Sequence, residues 1–481
     1  MKEEYEMYET DETQLEAEHL KKFQPFPFVK NTENDGNDRV YGQIYLDELV
    51  YWGEDGGGQM RVSASLVNEQ MLNMEYEARE RENTPLFFYE FQGEKTFSSN
   101  LQMTKANIRY FQGEQNNFYI LRIIDVEALD DNAERILENY AGRMTFEGEI
   151  TFSASPVLSH KVVIVVEDTV EKADKAAYEK LNKTYDTWNT TIKKECIYDD
   201  NVISAELYKL FDNTVKSCEV RIYNVGQANC CYCDLTTKKI FFDIGVARSS
   251  KSLEMPLIKS AVQEISTLDA DAVILSHWDL DHILGVCYNQ KCMEGKIWVV
   301  PDFEKLYSHP TISIKRVCNY LIKNGKSKLL MVDTSVANKL LFVSRNGEVT
   351  IYRGEPKASC GVNKKNNGGL LLKLNNSKNI FMLGDCENRR IPKAAVKTRY
   401  DYVIVPHHGA VMSRPTLCAK LGKKKTKKKT TTAYISCGVI TGNCSLDSDI
   451  ADKYKKINSA RCNIRSCLLY TSPSPRDRSL S

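Results

Sequence analysis

Four side chains able to hold a metal fall within six residues, in His277-Trp-Asp279-Leu-Asp281-His282. Imidazole nitrogens and carboxylate oxygens in this mixture suit Zn²⁺, Mn²⁺ or iron, with a remaining position open to water. Two aspartates so close repel one another unless a cation neutralises them. A bound cation of this kind lowers the pKa of a coordinated water toward neutrality and polarises the bond under attack, so the chemistry indicated is hydrolysis. Asp279 or Asp281 can orient that water or take its proton. An exposed polar turn would account for neither the paired histidines nor the apolar residues that precede them.

Those residues, Ala272 to Ser276 (AVILS), read as a buried strand, and Ile283-Leu284-Gly285 on the far side reads as the start of a helix. A loop at a strand end can curl so that alternate side chains meet at one point.

The segment HWDLDH resembles the HxHxDH signature of the metallo-β-lactamase superfamily, in the variant with Asp at the second His that is typical of the soluble hydrolase domain of competence (DNA-uptake channel) proteins. Other segments resemble that family in the same order: YNVGQAN from Tyr223 to Asn229, IFFDIG from Ile240 to Gly245, NNGGLLL from Asn366, FMLGD, VPHHG, and AYISCG from Ala433 to Gly438. The likeness runs from about Val220 to Ile464. It implies an α/β fold, a four-layer αβ/βα sandwich with a metal site at one edge. Carried over by position, the metal-site residues are His277, Asp279, Asp281, His282, Asp385 and either His407 or His408, the other facing substrate or holding a supporting hydrogen bond, with Asp279, Asp281 and His408 catalytic. The resemblance implies one or two divalent ions, Zn or Mn, with Asp385 between them if there are two. Asp243 reads as a residue that orients the loop. Asn224 and Ala228 depart from the Asp and Gly usual in the family's first loop. Between His282 and Asp385 the histidine available is His309, which reads as a surface-loop residue.

Charge is divided unevenly. Residues 1–217 hold 23 Lys+Arg and 42 Asp+Glu, a balance of −19, whereas residues 218–481 hold 42 and 22, a balance of +20. A basic half favours anionic substrates. The run Lys423, Lys424, Lys425, Lys427, Lys428 and Lys429 is expected to bind phosphate-bearing substrate, nucleic acid first; the plainer account is a solvated loop. The expected function is therefore a phosphodiesterase or nuclease, with a small phosphodiester, thioester or lactone as the alternative substrate, and a catalytically silent metal-binding interaction module as the alternative class.

The remaining organisation is read from pattern. Residues 1–36 are an acidic segment, and 37–167 a β-rich accessory domain that would bind an unknown protein partner. Its strands are expected in VYGQIYLDELVYW, RVSASLV, TPLFFYEF, NIRYF, FYILRIIDV and RMTFEGEITFSA, with a short helix about Asn132 to Tyr140 and a turn in QGEQNN. His19 and His160 are isolated and read as non-ligands. Residues 168–217 are a helical linker, with Val170, Ala177, Leu181, Tyr185 and Trp188 at helical spacing and a second helix about Ile203 to Val215. Residues 218–466 are the hydrolase domain. All 15 cysteines lie at or after Cys196, and Cys230, Cys231 and Cys233 read as reduced core residues of a strand. Cys467 to Asp477 (CLLYTSPSPRD) resembles a translated sequencing adapter, so 467–481 is expected to stand outside the fold and the hydrolase domain to be truncated. No apolar run approaches the roughly 20 residues of a membrane span, and the acidic start lacks a secretory core segment; a cytoplasmic location without membrane insertion is expected.

Overall fold

The computed structural model describes residues 40–52, 58–67, 88–97, 117–126, 132–152, 158–211, 218–226, 228–247, 256–307, 311–357, 364–376, 378–387, 389–397, 400–409, 431–435, 462–466 and 479–480. The chain is mixed α/β and divides into two units, residues 1–187 with 311–313, and residues 188–310 with 314–481.

The first unit is β-rich. Strands β1 (Val40–Trp52), β2 (Gly58–Val67), β3 (Tyr89–Phe97), β4 (Tyr119–Asp125), β5 (Met144–Phe152) and β6 (Leu158–Thr169) close a barrel in the order β1-β2-β3-β5-β6-β4. All its pairings are antiparallel. The alternation read in RMTFEGEITFSA appears in β5, where Phe146 and Ile150 are buried while Glu147 and Glu149 face solvent. The interior is not wholly apolar: Tyr45 donates to Gln43 Oε1 at 2.6 Å and Ser65 to Glu90 Oε1 at 2.9 Å, all four buried. The expected strand NIRYF, the turn QGEQNN except its last residue Asn117, and His19 lie outside the described residues.

A short helix α1 (Asn132–Glu138) stands between β4 and β5. The expected amphipathic helix after β6 is two helices, α2 (Val170–Ala173) and α3 (Lys175–Glu195). The break is at Asp174, whose backbone is extended and whose Oδ1 accepts from Ala177 N at 3.0 Å, an N-cap at the head of α3. Leu181, Trp188 and Ile192 are buried along it.

In the second unit, α4 (Asp200–Phe211) leads into two seven-stranded sheets. The first sheet contains β7 (Glu219–Ile222), β8 (Cys230–Asp234), β9 (Lys239–Ile244), β10 (Ala272–Ile274), β11 (Ile297–Pro301), β12 (Lys328–Val332) and a two-residue edge strand, Ser479–Leu480, paired with β7. Strands β9 to β12 are parallel. The second contains β13 (Leu340–Val343), β14 (Val349–Arg353), β15 (Leu370–Asn375), β16 (Asn379–Met382), β17 (Tyr402–Ile404), β18 (Thr431–Ile435) and β19 (Cys462–Ser466), the last four parallel; Ser479–Leu480 is β20 in chain order.

One core joins the two sheets and α4: Ile274, Val299 and Leu330 from the first, Leu370, Leu372 and Leu374 from the second, and Ile203, Leu207 and Leu210 from the helix. Leu371, pointing the other way from β15, packs instead with Phe381, Tyr400 and Val403, as the period of two in a strand requires. Helix α5 (Pro256–Thr267) is tied to the first sheet through Glu264, which accepts from Tyr223 OH at 2.9 Å. Cys230, Cys231 and Cys233 are free thiols in β8, all buried, and burial pushes the Cys230 and Cys233 thiols well up. Among the described residues no helix is long and apolar enough to cross a membrane.

Candidate metal centre

The polar side chains gather where parallel strands of both sheets end: Asp243 in β9, His277 beyond β10, Asp385 beyond β16, and His407 and His408 beyond β17. Carboxyl ends of parallel strands are where such sheets open a crevice. Helix α6 (Leu280–Ile283) brings in Asp281 and His282 one turn after His277.

The chain passes close to itself here. A Cβ on Gly384 would stand 2.4 Å from Ser276 Oγ, and Gly384 has φ +51°, so the β16 end can approach the His277 loop because it carries glycine. Leu370 N donates to Ser276 O at 2.8 Å, which ties the second sheet to the His277 loop, and His407 N donates to Gly384 O at 3.1 Å, which ties the β17 end to the β16 end. Asp243, His407 and His408 hold left-handed backbone conformations, φ 54°, 51° and 50°; strain of this kind concentrates at functional sites.

Asp243 is fully buried and acts as an acceptor three times over. It takes Ser276 N at 2.6 Å, Ser276 Oγ at 2.8 Å and His282 Nδ1 at 2.8 Å. With the proton of His282 on Nδ1, the lone pair of the neutral ring is on Nε2 and points into the centre. There Asp385 Oδ1 lies 3.3 Å from His282 Nε2 and 3.9 Å from His408 Nε2, while Asp385 Oδ2 lies 3.6 Å from His277 Nε2 and 3.8 Å from His407 Nε2. His408 Nε2 is 3.1 Å from Asp281 Oδ2. Two sets have ligand atoms within 4.8 Å of one another: His277, His282 and Asp385; and Asp281, His282 and His408. His407 is in neither, and its side chain is 26% exposed against 5% for His408.

Three other residues brace the carboxylates. Lys365 Nζ, from α9 (Lys364–Asn367), lies 2.7 Å from Asp279 Oδ1, and Tyr307 donates to the same oxygen at 3.3 Å. In chain order α7 (Phe303–Leu306) precedes Tyr307 and α8 (Ile312–Lys323) follows it. Asn366 Nδ2 donates to Asp385 Oδ2 at 3.1 Å. Sequence reading passed over Ser276, Tyr307 and Lys365. Ser276 and Lys365 each adjoin a residue already singled out, and that adjacency was the available signal. Tyr307, in an unremarkable YSHPT, carried none.

Charge follows from this packing. Burial works against ionisation of Asp385, but His282, His277 and His408 hold its carboxyl well below the usual range. Burial likewise opposes Asp279, which Lys365 and His277 nevertheless hold low. In the same way burial disfavours protonated His282 and His408, and the surrounding aspartates raise both, His282 strongly.

A divalent cation fits the donor set. His277 Nε2, His282 Nε2 and Asp385 Oδ1 are buried and make no hydrogen bond among the described residues, a condition that costs free energy unless something else meets these atoms. Lys423 to Lys429 and His309 lie outside the described residues, as does the side chain of His160.

No family model matches the chain, and no curated protein matches it. Among solved structures it is similar to a diphosphatase of the PhnP family, at 11% identity and a TM-score of 0.30, over 52% of this chain and 95% of that one. Superposition at that level is loose.

Proposed function

We propose that this chain is a metal-dependent hydrolase of phosphodiesters, with nucleic acid as its substrate class. The observation that carries the reading is the convergence of His277 Nε2, His282 Nε2 and Asp385 Oδ1, each buried without a hydrogen bond, from separate strand ends and a helix. His277, His282, His408, Asp281 and Asp385 would hold the metal, Zn or Mn; when bound, it supplies an acidified water and neutralises phosphate charge. Asp243 and Ser276 keep His282 aimed. Asp281, or Asp279 braced by Lys365 and Tyr307, orients the attacking water and takes its proton. The ordered motifs favour a metallo-β-lactamase-like sandwich of the competence-protein kind for the second unit, and the barrel of the first unit is assigned to partner binding.

Purified protein should contain a divalent metal by mass spectrometry. With Mn²⁺ or Zn²⁺ it should cleave bis(p-nitrophenyl) phosphate and labelled single- or double-stranded DNA or RNA. Asp281→Ala and His282→Ala should abolish cleavage while circular dichroism stays native. Protein that binds metal but cleaves no ester would be an interaction module, and protein that binds no metal would end the reading. Replacing the six lysines from Lys423 to Lys429 should weaken nucleic-acid binding at low salt and flatten its salt dependence; unchanged binding would make that run a solvated loop.

A further inference from the structure

We infer that Lys365 binds the substrate itself, as the cation that receives a negatively charged oxygen of the group being cleaved. The inference rests on the hydrolase reading above and narrows its substrate to esters that carry charge at the scissile group. Lys365 Nζ lies 2.7 Å from Asp279 Oδ1, while the other oxygen of that carboxylate, Oδ2, stands 3.5 Å from His277 Nε2. An anion with two adjacent oxygens is thus already held between the ammonium and the ligand cluster. A phosphodiester offers the same pair of charged oxygens. An ammonium carries three protons and can bridge two anions, and as a compact point charge it suits phosphate.

Exposure sets Lys365 apart from the buried ligands. The side chains of Lys365 and Asp279 are 29% and 24% exposed, against 0% for His277 and 4% for Asp385. These two therefore stand on the side of the centre that solvent reaches, where a substrate enters. The ammonium is also held from a second direction, 5.5 Å from the Tyr307 ring centroid. That ring is fixed at its hydroxyl, which accepts from Trp278 N at 3.2 Å and donates to Asp279 Oδ1 at 3.3 Å. Lys364 beside it is turned elsewhere, donating to Lys305 O at 2.8 Å. A cation set in place beforehand loses less freedom when an anion arrives. A lactone or thioester, uncharged at its reacting carbonyl, would gain little from it.

The test titrates inorganic phosphate into the metal-loaded full chain by calorimetry, beside cleavage of bis(p-nitrophenyl) phosphate. Lys365→Met and Lys365→Gln should weaken phosphate binding about 10- to 100-fold, the worth of a hydrogen bond to a charged group. Their metal content by mass spectrometry should match wild type, and Lys365→Arg should keep most of the phosphate affinity. Tyr307→Phe leaves the ring beside the ammonium but takes the hydroxyl from Asp279. It should slow cleavage while phosphate affinity stays near that of wild type. Wild type that binds no phosphate, or uncharged variants that bind it as tightly as wild type, would overturn the inference. Loss of metal from those variants, or an equal loss of phosphate affinity in Tyr307→Phe, would overturn it too, leaving Lys365 as a brace for Asp279. Wild type that binds phosphate but cleaves no ester would instead remove the hydrolase reading, and the same titrations would still decide whether Lys365 receives the anion.

Discussion

His282 is oriented by a fully buried neighbour. Asp243 accepts the Nδ1 proton and so leaves Nε2 as the basic nitrogen. In Asp243→Asn, one side of the new amide is a donor. Ser276 N at 2.6 Å would keep the amide oxygen, and the amide nitrogen would then face Ser276 Oγ and His282 Nδ1. The imidazole would be driven to carry its proton on Nε2, the wrong tautomer for a ligand. Metal affinity should fall about 10- to 100-fold, the usual cost of losing such a partner, with the fold kept. Titration calorimetry with Zn²⁺ or Mn²⁺ reads this directly, and an unchanged affinity would show that Asp243 only braces the loop. The His/Asp cluster of 277–282 stood out by residue type and spacing, and Asp243 through the likeness of IFFDIG to the family's strand. Lys365 was not, since a lysine in KKNN reads as solvated until another strand end brings Asp279 within reach of it.

Strands and helices were legible where one periodicity governed a whole segment. Val40–Trp52 reads as a strand and is one, and the first three residues of AVILS, Ala272 to Ile274, are a buried parallel strand. The inter-sheet core could not be read, because Leu370 to Leu374 alternate between two cores and a run of leucines does not say which face is which. Nor could the break at Asp174. Helical spacing continues from Val170 past it, and a local hydrogen bond that the Asp174 carboxylate accepts from Ala177 N wins over the pattern. That bond makes a prediction of its own. Asp174→Ala should destabilise the chain by about 1 kcal/mol through loss of the cap, seen as a lower urea midpoint with an unchanged slope. If alanine instead lets α2 and α3 fuse at no cost, the midpoint will stay where it is and the cap will have been incidental.

Stability of the whole chain should carry the signature of its centre. Without metal, the aspartates there are balanced by Lys365 and by protonated His282 and His408, whose folded pKa values lie above the unfolded one. A group raised in this way stabilises the fold fully below its unfolded pKa of about 6.5. That contribution is lost as pH rises through the folded value. Asp279 and Asp385 are depressed and act in the opposite direction, losing their contribution as pH falls below roughly 4. Metal-free protein in chelator should therefore be most stable between these limits and melt at progressively lower temperature above pH 6.5. A divalent cation replaces those protons, so its binding should tighten as pH rises and release protons as it occurs. At 100 times its dissociation constant it should add about 2.7 kcal/mol. The upward shift in melting temperature should accordingly widen from pH 6 to pH 9, with His282→Ala abolishing most of it. A metal-induced shift that is flat across this range, or that survives in His282→Ala, would mean that the cation stabilises the chain somewhere other than at these strand ends.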